Sequence, residues 1–477
     1  MTGNQVHFWD GEIWSFVVTL GIIFIAMLAA NMLRRLIGPL RRSLIPSSVL
    51  AGFLLLIANA IYKQAAGHSM FGIVTLEALT YHGLGLGVVA LSFRTAEKRS
   101  NKHTQTDILN TGLTTVSTYL LQGILGMLIS IGCFYALGSF WASGMLLPMG
   151  YGQGPGQAFN WGFNYQNEYG FANGTSFGLT VAAAGFIAAS IGGIIYMNVM
   201  KRKGQLKAQG VNAEEVEDLS AEMVTQKGEI PLSESLDKLT VQVGLVLFAY
   251  MAAYVFMHYV SALLDSTGAG LADTVKALMW GFNFLVGMLF AFIIKLVMRF
   301  FKKVGVRKRE YTNNFMLNRI SGLLFDIMVV ASIAAIDLSA FKIKEFLIPL
   351  ILMCVLGAFA SYYFIRFISR KLFPTYTHEA FLSMYGMLSG TVSTGLILMR
   401  EIDPLYETPA SGNLIFQNLW AVVFGFPMLL LLGFAPQSIG WGWLSVGLMA
   451  VFFIGITTLL FRSYLFKSKK GGKKQAK

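Results

Sequence analysis

Eleven stretches of mostly apolar residues, each long enough to cross a bilayer as a helix, dominate this chain. They lie at about 13–33, 46–62, 72–92, 109–137, 173–200, 240–263, 273–300, 318–336, 345–367, 413–434 and 439–462. A crossing takes about 20 apolar residues, because every backbone polar group must be satisfied inside the segment where no water reaches it. So many such stretches leave room for one class of fold, an all-α polytopic membrane protein. Composition agrees: 55% of the 477 residues are hydrophobic and 13% are charged, against about 25% charged in soluble domains.

The net charge of +13 raises nucleic acid as a partner, but the basic residues are spread in short runs between apolar segments. They follow the first span (Arg34, Arg35, Arg41, Arg42), the third (Arg94, Lys98, Arg99, Lys102), the fifth (Lys201, Arg202, Lys203) and the seventh (Lys302, Lys303, Arg307, Lys308, Arg309), and they fill the tail from Lys467 to Lys477. Every second loop is basic, which marks topology and excludes nucleic acid as a partner. The positive-inside rule puts the N-terminus outside and the C-terminus in the cytoplasm of a cell (inner) membrane. Eleven crossings, an odd number, give the same answer. Cys133 and Cys354 sit inside apolar stretches and make no disulfide framework or metal-ligand spacing. The acidic start and the long first apolar run do not read as a cleavable signal peptide.

A polar stretch, 201–238, divides the chain into 1–200 and 239–435, leaving 436–477 as an extra span and basic tail. Each half reads as four spans, one interrupted segment and one more span. The first half makes five crossings, so the second is expected to run upside down. The interrupted segments, about 141–165 and 377–402, fall at matching positions, on the outer and inner side respectively. Inverted repeats with broken helices at matching places are the best sequence pointer to the binding site of a transporter.

The first segment holds Gly150-Tyr151-Gly152-Gln153-Gly154-Pro155-Gly156. Glycine costs a helix interior about 1 kcal/mol and proline about 3, so no continuous helix is expected here. Unwound backbone at membrane depth is tolerated where it lines a cavity or is buried in protein, which predicts a re-entrant hairpin. The second segment, Tyr385 to Gly395, alternates hydroxyls with glycines, and Ser389, Thr391, Ser393 and Thr394 offer hard oxygen ligands suited to sodium. The plain alternative for either run is a loop or a close helix-packing face. A dinucleotide-binding reading of Gly150–Gly156 fails, because no βαβ unit surrounds it.

Ionisable residues inside spans are costly and so point to function. Asp326, in the middle of the eighth span, is a candidate ion ligand, with pairing to a neighbouring helix as the structural alternative. Glu77 lies near the outer interface, where hydration explains it, whereas His82 is deeper and can face a cavity. Lys295 is expected to snorkel. Arg400, Glu401 and Asp403 close the second segment and can pair with one another as a structural gate.

Gly152-Gln153-Gly154-Pro155-Gly156, followed by Glu168-Tyr169-Gly170-Phe171-Ala172-Asn173-Gly174-Thr175, resembles the first pore loop and fifth-helix start of the bacterial sodium/glutamate symporter family. Ile45-Pro46-Ser47-Ser48-Val49-Leu50-Ala51-Gly52 is similar to its second-helix opening, and Gly386 to Gly395 occupies the place of its second pore loop. The resemblance extends over nearly all of residues 13–435. It implies a homodimer of elevator type, with a scaffold and a mobile transport domain, and solute uptake coupled to Na+. The chain departs from the pattern at Gln153, where the family commonly has histidine, and in the glycine-poorer Leu388-Ser389-Gly390. The pattern assigns no role to Asp326, and the eleventh span is additional to its ten-span core.

Together these readings give a secondary active transporter, not an enzyme: a sodium-coupled symporter of glutamate or a related small carboxylate, in contact with membrane lipid. Substrate contacts are expected from Gly152, Gln153, Gly154, Gly156, Gln157, Asn160, Gly390 and Thr391. Sodium ligands are expected from Ser389, Thr391, Ser393, Thr394 and Asp326. The rival readings are a proton-coupled transporter with Asp326 and His82 as relays, and a passive channel filtered by the two broken segments. No nucleophile–base pair, zinc-protease motif or phosphate loop supports a membrane enzyme.

Overall fold

The computed structural model describes residues 11–94, 102–206, 237–267, 272–305, 311–404 and 408–462. The basic residues Lys98, Arg99, Arg307, Lys308 and Arg309, the tail from Lys467 and most of the linker 201–238 lie outside the described residues. Helices follow one another as α1 (Gly11–Leu36), α2 (Ser47–Ala66), α3 (Ile73–Ser92), α4 (Lys102–Leu137), α5 (Pro155–Glu168), α6 (Gly174–Arg202), α7 (Lys238–Thr267) and α8 (Ala272–Gly281). Then come α9 (Asn283–Lys303), α10 (Asn314–Ala334), α11 (Lys344–Leu372), α12 (Thr377–Ser389), α13 (Val392–Arg400), α14 (Ala410–Phe416), α15 (Asn418–Phe434) and α16 (Ile439–Leu460).

Ten of these helices are long and apolar enough to span a membrane, or eleven if α14 and α15, bent by 49° at their junction, count as one. The protein is therefore a helical multi-pass membrane protein. Its outward faces suit lipid: Leu28, Val74 and Val451 are each more than 70% exposed.

The seventh expected span, 273–300, is not one helix. It breaks at Phe282 into α8 and α9. Gly281 and Asn283 weaken the helix locally, and tertiary contacts complete the break. Side chains distant in sequence draw off the carbonyls at the junction: Tyr81 Oη donates to the Trp280 carbonyl at 2.9 Å, and Gln157 and Asn160 donate to that of Gly281.

The helices divide into two compact units that are not the two sequence halves, since each takes elements from both. Unit one comprises residues 1–96, 155–160 and 212–338. Its backbone is α3 against α10. A Cβ on Gly83 would lie 2.9 Å from Met328 Cβ, and one on Gly87 would strike the Phe325 ring. Four residues apart, the two glycines form the small-residue seam that lets membrane helices approach closely. Gly52 of α2 likewise meets Ile333 of α10. Val89, Ala90 and Phe93 of α3 close a core with Val246 and Ala249 of α7, Ala291 of α9 and Leu317 of α10. Lys295 does more than snorkel: its ammonium donates to the carbonyls of Ser92 (3.0 Å) and Arg94 (2.6 Å), where α3 has run out of amide donors.

Unit two comprises residues 97–154, 161–211 and 339–477, with the 36-residue α4 as its post. Thr111, Thr114, Thr115, Ser117 and Thr118 are buried on α4, and each hydroxyl donates to the carbonyl four residues earlier. Their polarity is thus satisfied inside the helix. α16 runs along α4, with Met449 Sδ 2.8 Å from where a Gly123 Cβ would stand, and Arg462 donates to Asn110 Oδ1 at 3.1 Å.

Candidate functional site

The two interrupted segments break at residues 152–154 and at Gly390-Thr391, both within unit two, and these breaks meet. After α4 ends at Leu137, a 3-10 turn (Trp141–Met145) and a π turn (Pro148–Gly152) lead to Gly154, with α5 beginning at Pro155. Gly154 has φ +84°, ψ −175°, a conformation in practice reserved for glycine. Pro155 then starts α5 where a missing amide donor costs nothing. This segment runs back along α4: Gly144 packs backbone to backbone on Gly126, and the Gly152 carbonyl accepts from Tyr119 Oη at 2.9 Å. Tyr119 and Gly126 are separated by about 10 Å of helix axis at 1.5 Å per residue. The chain therefore returns to near the middle of α4 before it breaks. Its other side is wedged on α6, with Gly150 against Val181 and Ala182.

The second break joins α12 to α13 at Gly390-Thr391. Gly386 and Gly395 allow the two helices to touch: a Cβ on Gly386 would lie 2.6 Å from Gly395 Cα. At the tip, the Leu388 carbonyl accepts from Gln122 Nε2 at 2.9 Å, and the Ser389 carbonyl abuts Gly185 of α6. Thr391 and Thr394 hydroxyls are 3.3 Å apart. The two tips come together at Gly154, whose Cβ would stand 3.0 Å from Thr391 Cγ2 and 3.5 Å from the Gly390 carbonyl oxygen.

One turn of α4 thus holds both tips, Tyr119 the first and Gln122 the second. Gln122 is fully buried. Its Nε2 also contacts Ser361 Oγ at 2.8 Å, and since a carbonyl can only accept, the bond to Leu388 fixes the amide's orientation. Its Oε1 is left without a donor and lies 3.3 Å from where a Cβ of Gly152 would be. The sequence patterns single out neither Tyr119 nor Gln122. The available signal was a lone amide in an apolar span, within Tyr119-Leu120-Leu121-Gln122-Gly123.

Of the expected substrate and sodium residues, Gly152, Gly154, Ser389, Gly390, Thr391 and Thr394 are gathered at this meeting point. Gln153 follows directly at the first break, half-buried. Ser393 is exposed on α13. Gly156, Gln157 and Asn160 belong to unit one. There Gly156 faces Leu84 and Met328, and Gln157 and Asn160 donate to the Gly281 carbonyl at 3.2 and 2.8 Å. Asp326 also belongs to unit one, hydrogen-bonded to Ser48 of α2, so the expected sodium set is divided between the units. His82, likewise in unit one, has Nδ1 3.0 Å from Tyr250 Oη.

At the entry to α12, Tyr376 Oη donates to Asp107 Oδ2 at 2.6 Å and accepts from Asn413 Nδ2 at 2.9 Å. Burial, and then the carboxylate beside it, push this phenol well above the usual tyrosine range. At the exit from α13, Asp403 is engaged by the backbone N–H (3.0 Å) and hydroxyl (2.5 Å) of Thr408. No protein-family model matches the chain, and no curated protein is significantly similar to it.

Proposed function

We propose that this protein is a secondary active transporter that couples uptake of glutamate, or a related small carboxylate, to sodium. The observation that carries the reading is the meeting of the two helix breaks at Gly154 and Thr391, both held by one turn of α4. Unwound backbone at membrane depth supplies carbonyls and hydroxyls for a cation, while the N-terminus of α13 supplies amides for an anion. Ser389, Thr391 and Thr394 are the sodium ligands in this reading, and Gly152 to Gly154 with Gly390 line the solute. The segments 141–165 and 377–402 are re-entrant hairpins in inverted halves, entering from opposite faces of the inner membrane. The chain acts as an elevator-type homodimer with its C-terminus in the cytoplasm, and the hairpin-bearing unit is the part that carries solute. Resemblance to the sodium/glutamate symporter family supports the same scheme.

The test is uptake of radiolabelled glutamate into proteoliposomes with and without an inward sodium gradient. Accumulation driven by the gradient is expected. Uptake that ignores sodium, or no uptake by folded protein, rejects the proposal. Uptake driven by a proton gradient alone selects proton coupling instead, and flux without saturation or counterflow selects a channel.

A further inference from the structure

A second polar cluster lies wholly within unit one, around the break between α8 and α9. Gln157 and Asn160, three residues apart and so on one face of α5, both donate their side-chain amides to the carbonyl of Gly281. Asn283, the first residue of α9, donates Nδ2 to Tyr250 Oη at 2.9 Å. A carbonyl cannot donate, so the Gly281 contact fixes the orientation of Gln157 and Asn160. Each spends one amide N–H on that carbonyl, and each oxygen is left facing away from it. Gln157, Asn160 and Asn283 are 1%, 5% and 0% exposed. Gln157 Oε1, Asn160 Oδ1 and Asn283 Oδ1 have no hydrogen-bond donor within reach.

A buried acceptor without a donor costs about 1–3 kcal/mol, and native interiors keep few of them. Three such amide oxygens around a single helix break concentrate partial negative charge there. The groups bonded to the three amides are Gly281, Tyr250 and Tyr81, and the histidine next in line is His82. Hard oxygens of this kind attract a small positive group and repel a carboxylate.

We infer that Gln157, Asn160 and Asn283 form, within unit one, a binding site for a small cationic group, either an ammonium or a sodium ion. The identity of the ligand rests on the transport reading above. The sequence pattern gave Gln157 and Asn160 to the solute without saying what charge they would meet.

Two ligands of equal length separate the possibilities. Glutarate has both carboxylates of L-glutamate and no ammonium. Binding of each to the purified full-length protein is measured by competition against radiolabelled glutamate across a sodium titration, for wild type, Asn160→Leu, Asn283→Leu and Asn160→Asp. Folding is checked by size-exclusion profile and Tm. For an ammonium site, the leucine variants weaken glutamate at least tenfold and leave glutarate unchanged. For a sodium site, they raise the half-saturating sodium at least threefold for both ligands. In either case Asn160→Asp, which keeps an oxygen and adds negative charge, retains glutamate binding within threefold or tightens it. Leucine variants that change neither quantity, or an aspartate variant that loses both ligands at least tenfold, overturn the inference. If wild-type protein binds neither dicarboxylate, it is the transport reading that fails. The sodium arm then stands alone, read as a sodium-over-choline rise in Tm that the leucine variants must abolish.

Discussion

Gln122 shows how much one side chain can carry when it is buried on a central helix. Replacing it with leucine keeps the volume but leaves the Leu388 carbonyl without its donor, at a cost of about 1–3 kcal/mol. Gln122→Leu is therefore expected to lower sodium-driven uptake at least tenfold in proteoliposomes, with a fall in Tm. Tyr119→Phe removes only the bond to the Gly152 carbonyl and should cost about 1 kcal/mol, with a smaller drop in uptake. Gly154→Ala meets two obstacles, a φ of +84° and a methyl 3.0 Å from Thr391 Cγ2. A residue forced into that backbone region costs about 1–3 kcal/mol. Uptake should fall more in this variant than in Gly138→Ala, where φ is +75° but nothing stands within 4 Å of the new methyl. Equal activities would show that the close approach of the tips is unimportant.

At the scale of elements, the seam of Gly83 and Gly87 tests whether α3 and α10 form the frame of unit one. Valine at either position drives two more methyl groups into Met328 or Phe325, an overpacking that costs about 1–3 kcal/mol. A lower Tm is expected for both variants, whereas valine at Gly244, with nothing within 4 Å of a Cβ, should leave it nearly unchanged. Most of the elements were legible in the sequence. Apolar length located the long helices, and the Gly-Pro and Gly-Ser-Thr runs located the breaks at 152–155 and 390–391, because those residues fail as helix interiors on their own account. The break at Phe282 was not legible. Gly281 and Asn283 beside it are weak helix formers but single ones in an apolar run, and the groups that draw off its carbonyls, Tyr81, Gln157 and Asn160, are far away in sequence. The grip of Gln122 on Leu388 was hidden for the same reason: residue type announces a costly side chain, and only folding supplies its partner.

For the molecule as a whole, the last helix is the unexpected participant. α16 lies outside the paired pattern of the sequence, yet it runs along the same α4 that holds both breaks and contacts Gly123, the residue after Gln122. It is also tied at its end through Arg462 to Asn110. Truncation after residue 435 would strip α4 of this cover along much of its length. The truncated protein is expected to be aggregated or proteolysed when solubilised in detergent, as read by fluorescence-detected size exclusion. A monodisperse, transport-competent truncation would show that α16 is dispensable to the hairpin-bearing unit.

Tyr119 and Gln122 grip opposite partners from a single turn of helix, and this spacing has a mechanical result. A helix is stiff about its axis, so any twist or slide that slackens one grip disturbs the other in the same stroke. The two tips are yoked, and neither swings aside on its own. In the transporter proposed above, two leaves on one spindle would keep the ion gradient from leaking whenever the cargo is missing.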